Sequence, residues 1–152
     1  MKPVSCVIKL GEIINNYSFF LKCKGEALGA IGKYSDNVLE VLKKYSNDKF
    51  EVVSETCQIA LKLLEWHKNK DNSKEKLSDN PYYSVDPAPP CDHKKYNVEE
   101  LRVKLLDENE NLFERYRAMF ALRNIGTDDS ILALCEGKLV IFQKLFMVLN
   151  IL

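Results

Sequence analysis

The chain has 152 residues and a mass of 17.5 kDa, is 46% hydrophobic, and carries 22 basic against 22 acidic side chains. That length supports one modest core, so a single domain is the starting expectation. A net charge of zero supplies no general attraction to phosphate backbones or anionic lipid, which argues against nucleic-acid and membrane-surface binding.

Pro3 can open a helix, and Val4, Val7, Ile8, Leu10, Ile13 and Ile14 follow one helical face until Asn15-Asn16, where a break is expected. A second apolar series runs from Phe19 through Leu28 to Ile31 and closes at Gly32, a residue suited to a left-handed cap. Asp36 is expected to cap the next helix, near 36–46, whose stripe is Val38, Leu39, Val41, Leu42 and Tyr45. A longer helix is predicted over 50–69, with Val52, Val53, Cys57, Ile59, Ala60, Leu61, Leu63, Leu64 and Trp66 covering most of its inner side and Glu51, Glu55, Lys62 and Lys68 toward water. Four prolines between Pro81 and Pro90 exclude a regular helix there, so residues 70–96 read as a linker that Tyr82 and Tyr83 could dock on a helix. Helices are predicted again over 98–106, 112–125 and 128–136, the last capped by Asp128 or Asp129. The chain then runs from Lys138 to Leu152 apolar on nearly every side. Gln143-Lys144 interrupt that run, which reads as a packed helix or an exposed stub and is short for a membrane span.

The five cysteines, Cys6, Cys23, Cys57, Cys91 and Cys135, are scattered and form no C-x-x-C pair. They are expected to be reduced packing residues of a cytoplasmic protein. Lys2, Lys9 and Glu12 interrupt the first apolar pattern, so no signal peptide is expected.

Ala27-Leu28-Gly29-Ala30-Ile31-Gly32 and Ala121-Leu122-Arg123-Asn124-Ile125-Gly126 share one pattern at an offset of 94 residues, each followed by an aspartate and another apolar helix. A recurring helix, glycine turn and second helix is the mark of stacked helix pairs. The expected fold class is therefore all-α, an α-solenoid of HEAT type. Two blocks, 1–69 and 97–152, are joined by the proline-rich stretch 70–96, and a plain helical bundle is the alternative.

The segments Gly25-Glu26-Ala27-Leu28-Gly29-Ala30-Ile31-Gly32, Val53-Ser54-Glu55-Thr56-Cys57-Gln58-Ile59-Ala60, Ser84-Val85-Asp86-Pro87-Ala88-Pro89-Pro90 and Leu112-Phe113-Glu114-Arg115-Tyr116-Arg117-Ala118-Met119 occur in that order. Together they resemble deoxyhypusine hydroxylase from about residue 25 to residue 137. The resemblance implies a longer HEAT-repeat monooxygenase whose halves face each other across a di-iron centre held by helix-borne His-Glu pairs. It also implies a substrate: the deoxyhypusine side chain of a translation initiation factor, hydroxylated to hypusine. Imidazole and carboxylate suit iron and leave positions open for dioxygen, and a polyamine-like cation needs carboxylates near it because an unpaired ammonium is costly to desolvate.

The family's His-Glu pair precedes the Gly25-Glu26 segment by three and two residues, and those positions here are Lys22 and Cys23. Neither matches the ligand type, and a second pair expected about ten residues after Glu136-Gly137 is absent from the run beginning at Lys138. No metal ligand is therefore assigned, and the chain by itself is expected not to assemble the iron centre. The likeness begins and ends abruptly, as a shifted reading frame or misplaced exon boundary would produce, so His-Glu segments are expected in other frames of the surrounding DNA. Glu26 matches the family and is the candidate substrate-binding carboxylate, although pairing with Lys22 or Lys24 on a helix face is the ordinary alternative. His67 is expected at the carbonyl end of its helix and His93 in a solvated loop, neither as a ligand. Glu114, Arg115, Arg117 and Arg123 are expected in salt bridges between repeats. A noncatalytic HEAT scaffold with a protein-binding concave face is the other function class, separated from the enzyme by the missing His-Glu pairs.

Overall fold

A computed structural model describes residues 4–69, 77, 81–82, 84–92 and 95–137, with side chains from residue 17 onward. The run from Lys138, His93, Tyr83 and the side chain of Cys6 lie outside the described residues. The helices are α1 (Val4–Ile31), α2 (Asp36–Tyr45), α3 (Glu51–Asn69), α4 (Val98–Leu106), α5 (Leu112–Ile125) and α6 over 128–137. Among the described residues there is no strand, only an isolated antiparallel bridge between Leu77 and Asp92. The expected all-α class of HEAT-type helix pairs is the observed one.

Both ends of α2 to α5 and the start of α6 fall within a residue of those predicted from periodicity. The exception is α1, which runs unbroken through Asn15-Asn16. Asparagine costs a helix interior only about 0.7 kcal/mol and keeps its N–H, so it does not cut the ladder as proline does. Two expected caps also differ. Ser35 rather than Asp36 occupies the N-cap of α2, and the Thr127 hydroxyl, not Asp128 or Asp129, accepts from the Ser130 N–H at 3.4 Å. Both aspartates of α6 sit inside its first turn, where negative charge still meets the positive helix end.

The chain divides into two compact units, Met1–Asp71 and Asn72–Leu152. In the first, Leu21 of α1 and Leu42 of α2 pack on a stripe of α3 formed by Val53, Cys57, Ala60 and Leu64. Positions separated by four, three and four residues line one side of a helix, so this stripe is the core-forming pattern itself. Helix α1 comes close to α3 because small residues meet there: a Cβ on Gly29 would lie 3.1 Å from the Ala60 Cβ. α1 ends at Gly32, whose φ of 66° is the left-handed cap expected of it, its N–H donating to the Gly29 carbonyl.

In the second unit the core joins Leu101 and Leu105 of α4, Ala118, Ala121 and Leu122 of α5, Ala133 of α6 and Cys91. Asn97 and Glu100 form a capping box that starts α4, Asn111 accepts from the Phe113 N–H to start α5, and Gly126 closes α5 at a φ of 67°. Such caps satisfy backbone groups that would otherwise lack partners, each for about 1 kcal/mol.

Replacing Gly29 with Val should lower the unfolding free energy by about 1–3 kcal/mol in urea titrations, because added methyl groups must enter a contact already closed by Ala60. Ala30→Val, one residue on and exposed, should cost less than about 1 kcal/mol. Equal losses would show that the α1–α3 approach is not sterically limited.

Candidate functional site

The residues of α1 that the sequence marks for function lie around its core-facing stripe. Leu21, Gly25 and Gly29 face α3, which leaves Lys22 at the edge of the contact and Cys23 and Glu26 exposed. Lys22 and Glu26 stand one helical turn apart, with the ammonium 3.5 Å from the carboxylate Oε1. Lys24 takes the other course open to it and lays its ammonium 4.2 Å from the centroid of the Phe20 ring. Of the two partners weighed for Glu26, the structure therefore selects Lys22. Side-chain exposures of 37% and 51% make the pair a surface one. Its lysine also precedes its glutamate, the weaker orientation, so it contributes at most about 0.5 kcal/mol.

These residues do not fit an iron site. A protonated Lys22 cannot donate a lone pair, Cys23 supplies one sulfur, and the Glu26 carboxylate already faces a cation. Among the described residues no group of three or more His, Cys, Asp and Glu side chains is placed to hold a metal ion. His67 is exposed in the last turn of α3, its ring meeting Trp66 edge to face at 5.3 Å, as its helix-end position implied. The cysteines divide. Cys57 and Cys91 are buried, and burial together with the charge of Asp48 pushes the Cys57 thiol pKa up, keeping it inert. Cys23 and Cys135 are exposed, contrary to the expectation that all five are packing residues.

The densest polar cluster lies elsewhere, where residues 84–92 pack along α5. Arg117, buried in the core of the second unit, donates from Nε to the Pro89 carbonyl, from Nη2 to the Pro90 carbonyl and from Nη1 to Glu114. The Cys91 N–H donates back to the Arg117 carbonyl. Six residues on, Arg123 grips Asp86 with both terminal nitrogens, at 3.0 and 2.8 Å, and lies 4.8 Å from the ring centroids of both Tyr82 and Phe120. Tyr82 thus docks the proline segment as its residue type allowed. Arg117 and Arg123 bind that proline segment, a partner that the expectation of salt bridges between repeats did not include. Proline carbonyls have no N–H of their own to pair with in a ladder, and the guanidinium supplies the donors. Glu114 completes the cluster by meeting Lys104 of α4 at 2.8 Å. Burial alone would raise the Asp86 pKa, but hydrogen bonds from Arg123 and Ser84 hold it below the ordinary carboxylate value. Burial would likewise raise the Glu114 pKa, but Lys104 and Arg117 outweigh it and hold that carboxyl below its ordinary value. This arrangement anchors chain and offers no open reaction centre.

A family model described as PBS lyase HEAT-like repeat matches residues 114–139. The chain is 57% identical over 114 residues to deoxyhypusine hydroxylase of Danio rerio, covering 74% of this chain and 36% of that protein. It is 53% identical to the Homo sapiens enzyme of the same name over 113 residues, 74% of this chain and 35% of the relative. The Dictyostelium discoideum relative is 53% identical over 99 residues, 64% of this chain and 30% of that one. The solved structure of human deoxyhypusine hydroxylase in complex with glycerol superposes with a TM-score of 0.63 at 53% identity, over 74% of this chain and 37% of that chain. The matched segment thus spans little more than a third of the relatives' length.

Lys22→Ala should shift unfolding stability by less than about 0.5 kcal/mol, since only an exposed pair is lost. Asp86→Asn should cost about 1–3 kcal/mol at neutral pH by leaving Arg123 short of its acceptor charge. The stability that the lowered carboxylate pKa values contribute is fully present above the unfolded value of about 4 and is lost as pH falls through the folded values. Acid titration by circular dichroism should therefore show a shallower loss below about pH 4 in the Asp86→Asn protein.

Proposed function

Because the chain belongs to the deoxyhypusine hydroxylase family, we propose that it is a divergent scaffold unit of the monooxygenase that hydroxylates deoxyhypusine to hypusine on a translation initiation factor. The agreement of the sequence match with the fold match over the same share of the chain supports this reading. Two HEAT-type blocks, 1–69 and 97–152, form the scaffold, with 70–96 between them. In this reading Glu26 is the carboxylate turned to the substrate cation, held in reserve by Lys22 until a stronger cationic partner displaces it. The family's irons, when bound by His-Glu pairs, supply oxygen activation. Lys22 and Cys23 stand at one such position and do not supply the ligands, so this chain alone carries scaffold without the metal chemistry. We place the protein in the cytoplasm, where translation factors act and where exposed thiols such as Cys23 and Cys135 stay reduced. No described helix is long and apolar enough to cross a membrane.

The deciding experiment measures iron on purified, monodisperse protein and, in parallel, hydroxylation of a deoxyhypusine-bearing peptide. The expected result is a folded helical protein with neither tightly bound iron nor turnover. A full di-iron complement or hydroxylated product would overturn the assignment of Lys22 and Cys23 as non-ligating replacements.

A further inference from the structure

Helix α1 buries one side against α3, yet the stripe beside it is apolar as well. Tyr17, Phe20 and Ile31, spaced to share one helical face, are 54%, 57% and 70% exposed, and Lys24 lies in the same stripe over the Phe20 ring. Helix α6 shows a matching departure. Ser130 and Ala133 face the core, while Ile131 and Leu132 are 50% and 61% exposed beside the exposed Asp128 and Asp129 of the first turn. Among the described ion pairs none engages Lys24, Asp128 or Asp129.

We propose that these two faces are halves of one interface and that the chain self-associates head to tail, the α1 stripe of one copy seated on the α6 face of the next. Aromatic and aliphatic groups exposed on both faces leave water on contact, which drives association. The charges choose the pairing: a cation flanks one apolar stripe and two carboxylates flank the other, so α1 on α6 joins opposite signs. An α1-on-α1 contact would bring two Lys24 ammonium groups to the same edge, and α6 on α6 would crowd four aspartates. Helix pairs of HEAT type are stable by stacking on a neighbouring pair, and that neighbour can belong to another copy. Because the faces differ, each copy carries both halves of the contact and can offer either one to a second copy. The association does not depend on the hydroxylase reading and can hold or fail apart from it.

The test is sedimentation velocity on the full chain across a range of concentrations, with circular dichroism confirming unchanged helicity in each variant. The wild-type chain should form species larger than the monomer, in rising proportion as concentration increases. Lys24→Glu, and separately the double variant Asp128→Lys with Asp129→Lys, should each weaken association at least about tenfold, by placing like charges across the contact. A chain carrying all three reversals should associate again as the wild type does. Equimolar mixing of the two singly altered proteins should restore association as well. A wild-type chain that stays monomeric at every concentration, association untouched by either reversal, or failure of the triple variant to recover would each overturn the proposal.

Discussion

A guanidinium carries five N–H donors and cannot shed its charge, so burying one commits the chain around it to supplying acceptors. Arg117, with its side chain only 8% exposed, imposes that demand at the centre of the second unit. The carbonyls of Pro89 and Pro90 and the carboxylate of Glu114 meet it, and each answer fixes another element. Holding the prolines lays residues 84–92 along α5 and carries Cys91 into the core beside Leu101 and Leu122. Holding Glu114 draws in Lys104 and with it α4, whose Leu105 carbonyl also accepts from Arg115 at 2.9 Å. The segment between the helical blocks is thus in part a structural member of the second unit, kept in place by charge-assisted hydrogen bonds that a low-dielectric setting strengthens.

The first unit rests on shape instead of charge. Gly25 and Gly29 on α1 meet Thr56, Cys57 and Ala60 on α3, and the absence of side-chain bulk lets two helix backbones approach closely enough to bury Leu21, Val53 and Leu64 between them. Lys22 stands at the margin of that contact, where its ammonium meets the exposed Glu26 carboxylate one helical turn on.

The features that organise the two units, the glycine-bearing helix α1 and the proline segment pinned on α5, are packing features of a chain 57% identical over 114 residues to the Danio rerio deoxyhypusine hydroxylase. Lys22 and Cys23 lie off the side of α1 that Leu21, Gly25 and Gly29 turn to α3, so the residue types at 22 and 23 do not decide whether α1 stays helical and docked.

By itself the sequence determined whatever depends on near neighbours. Helical periodicity placed α2 to α6, glycine at 32 and 126 placed two left-handed caps, and the spacing of Lys22, Lys24 and Glu26 allowed the surface pairing that one of the lysines makes. Tertiary structure decided the rest, because its energy comes from partners far along the chain. The proline carbonyls that accept from Arg117 lie 27 and 28 residues away and Asp86 lies 37 from Arg123, distances over which no local pattern distinguishes a pinned proline segment from a free linker. Likewise α1 continues through Asn15-Asn16, where asparagine's small helix penalty is outweighed, and Cys23 and Cys135 face outward although cysteine usually packs inside. Propensity is a preference of under about a kilocalorie per residue, whereas burial and the pairing of a buried charge are each larger, so contact overrules local preference wherever the two disagree.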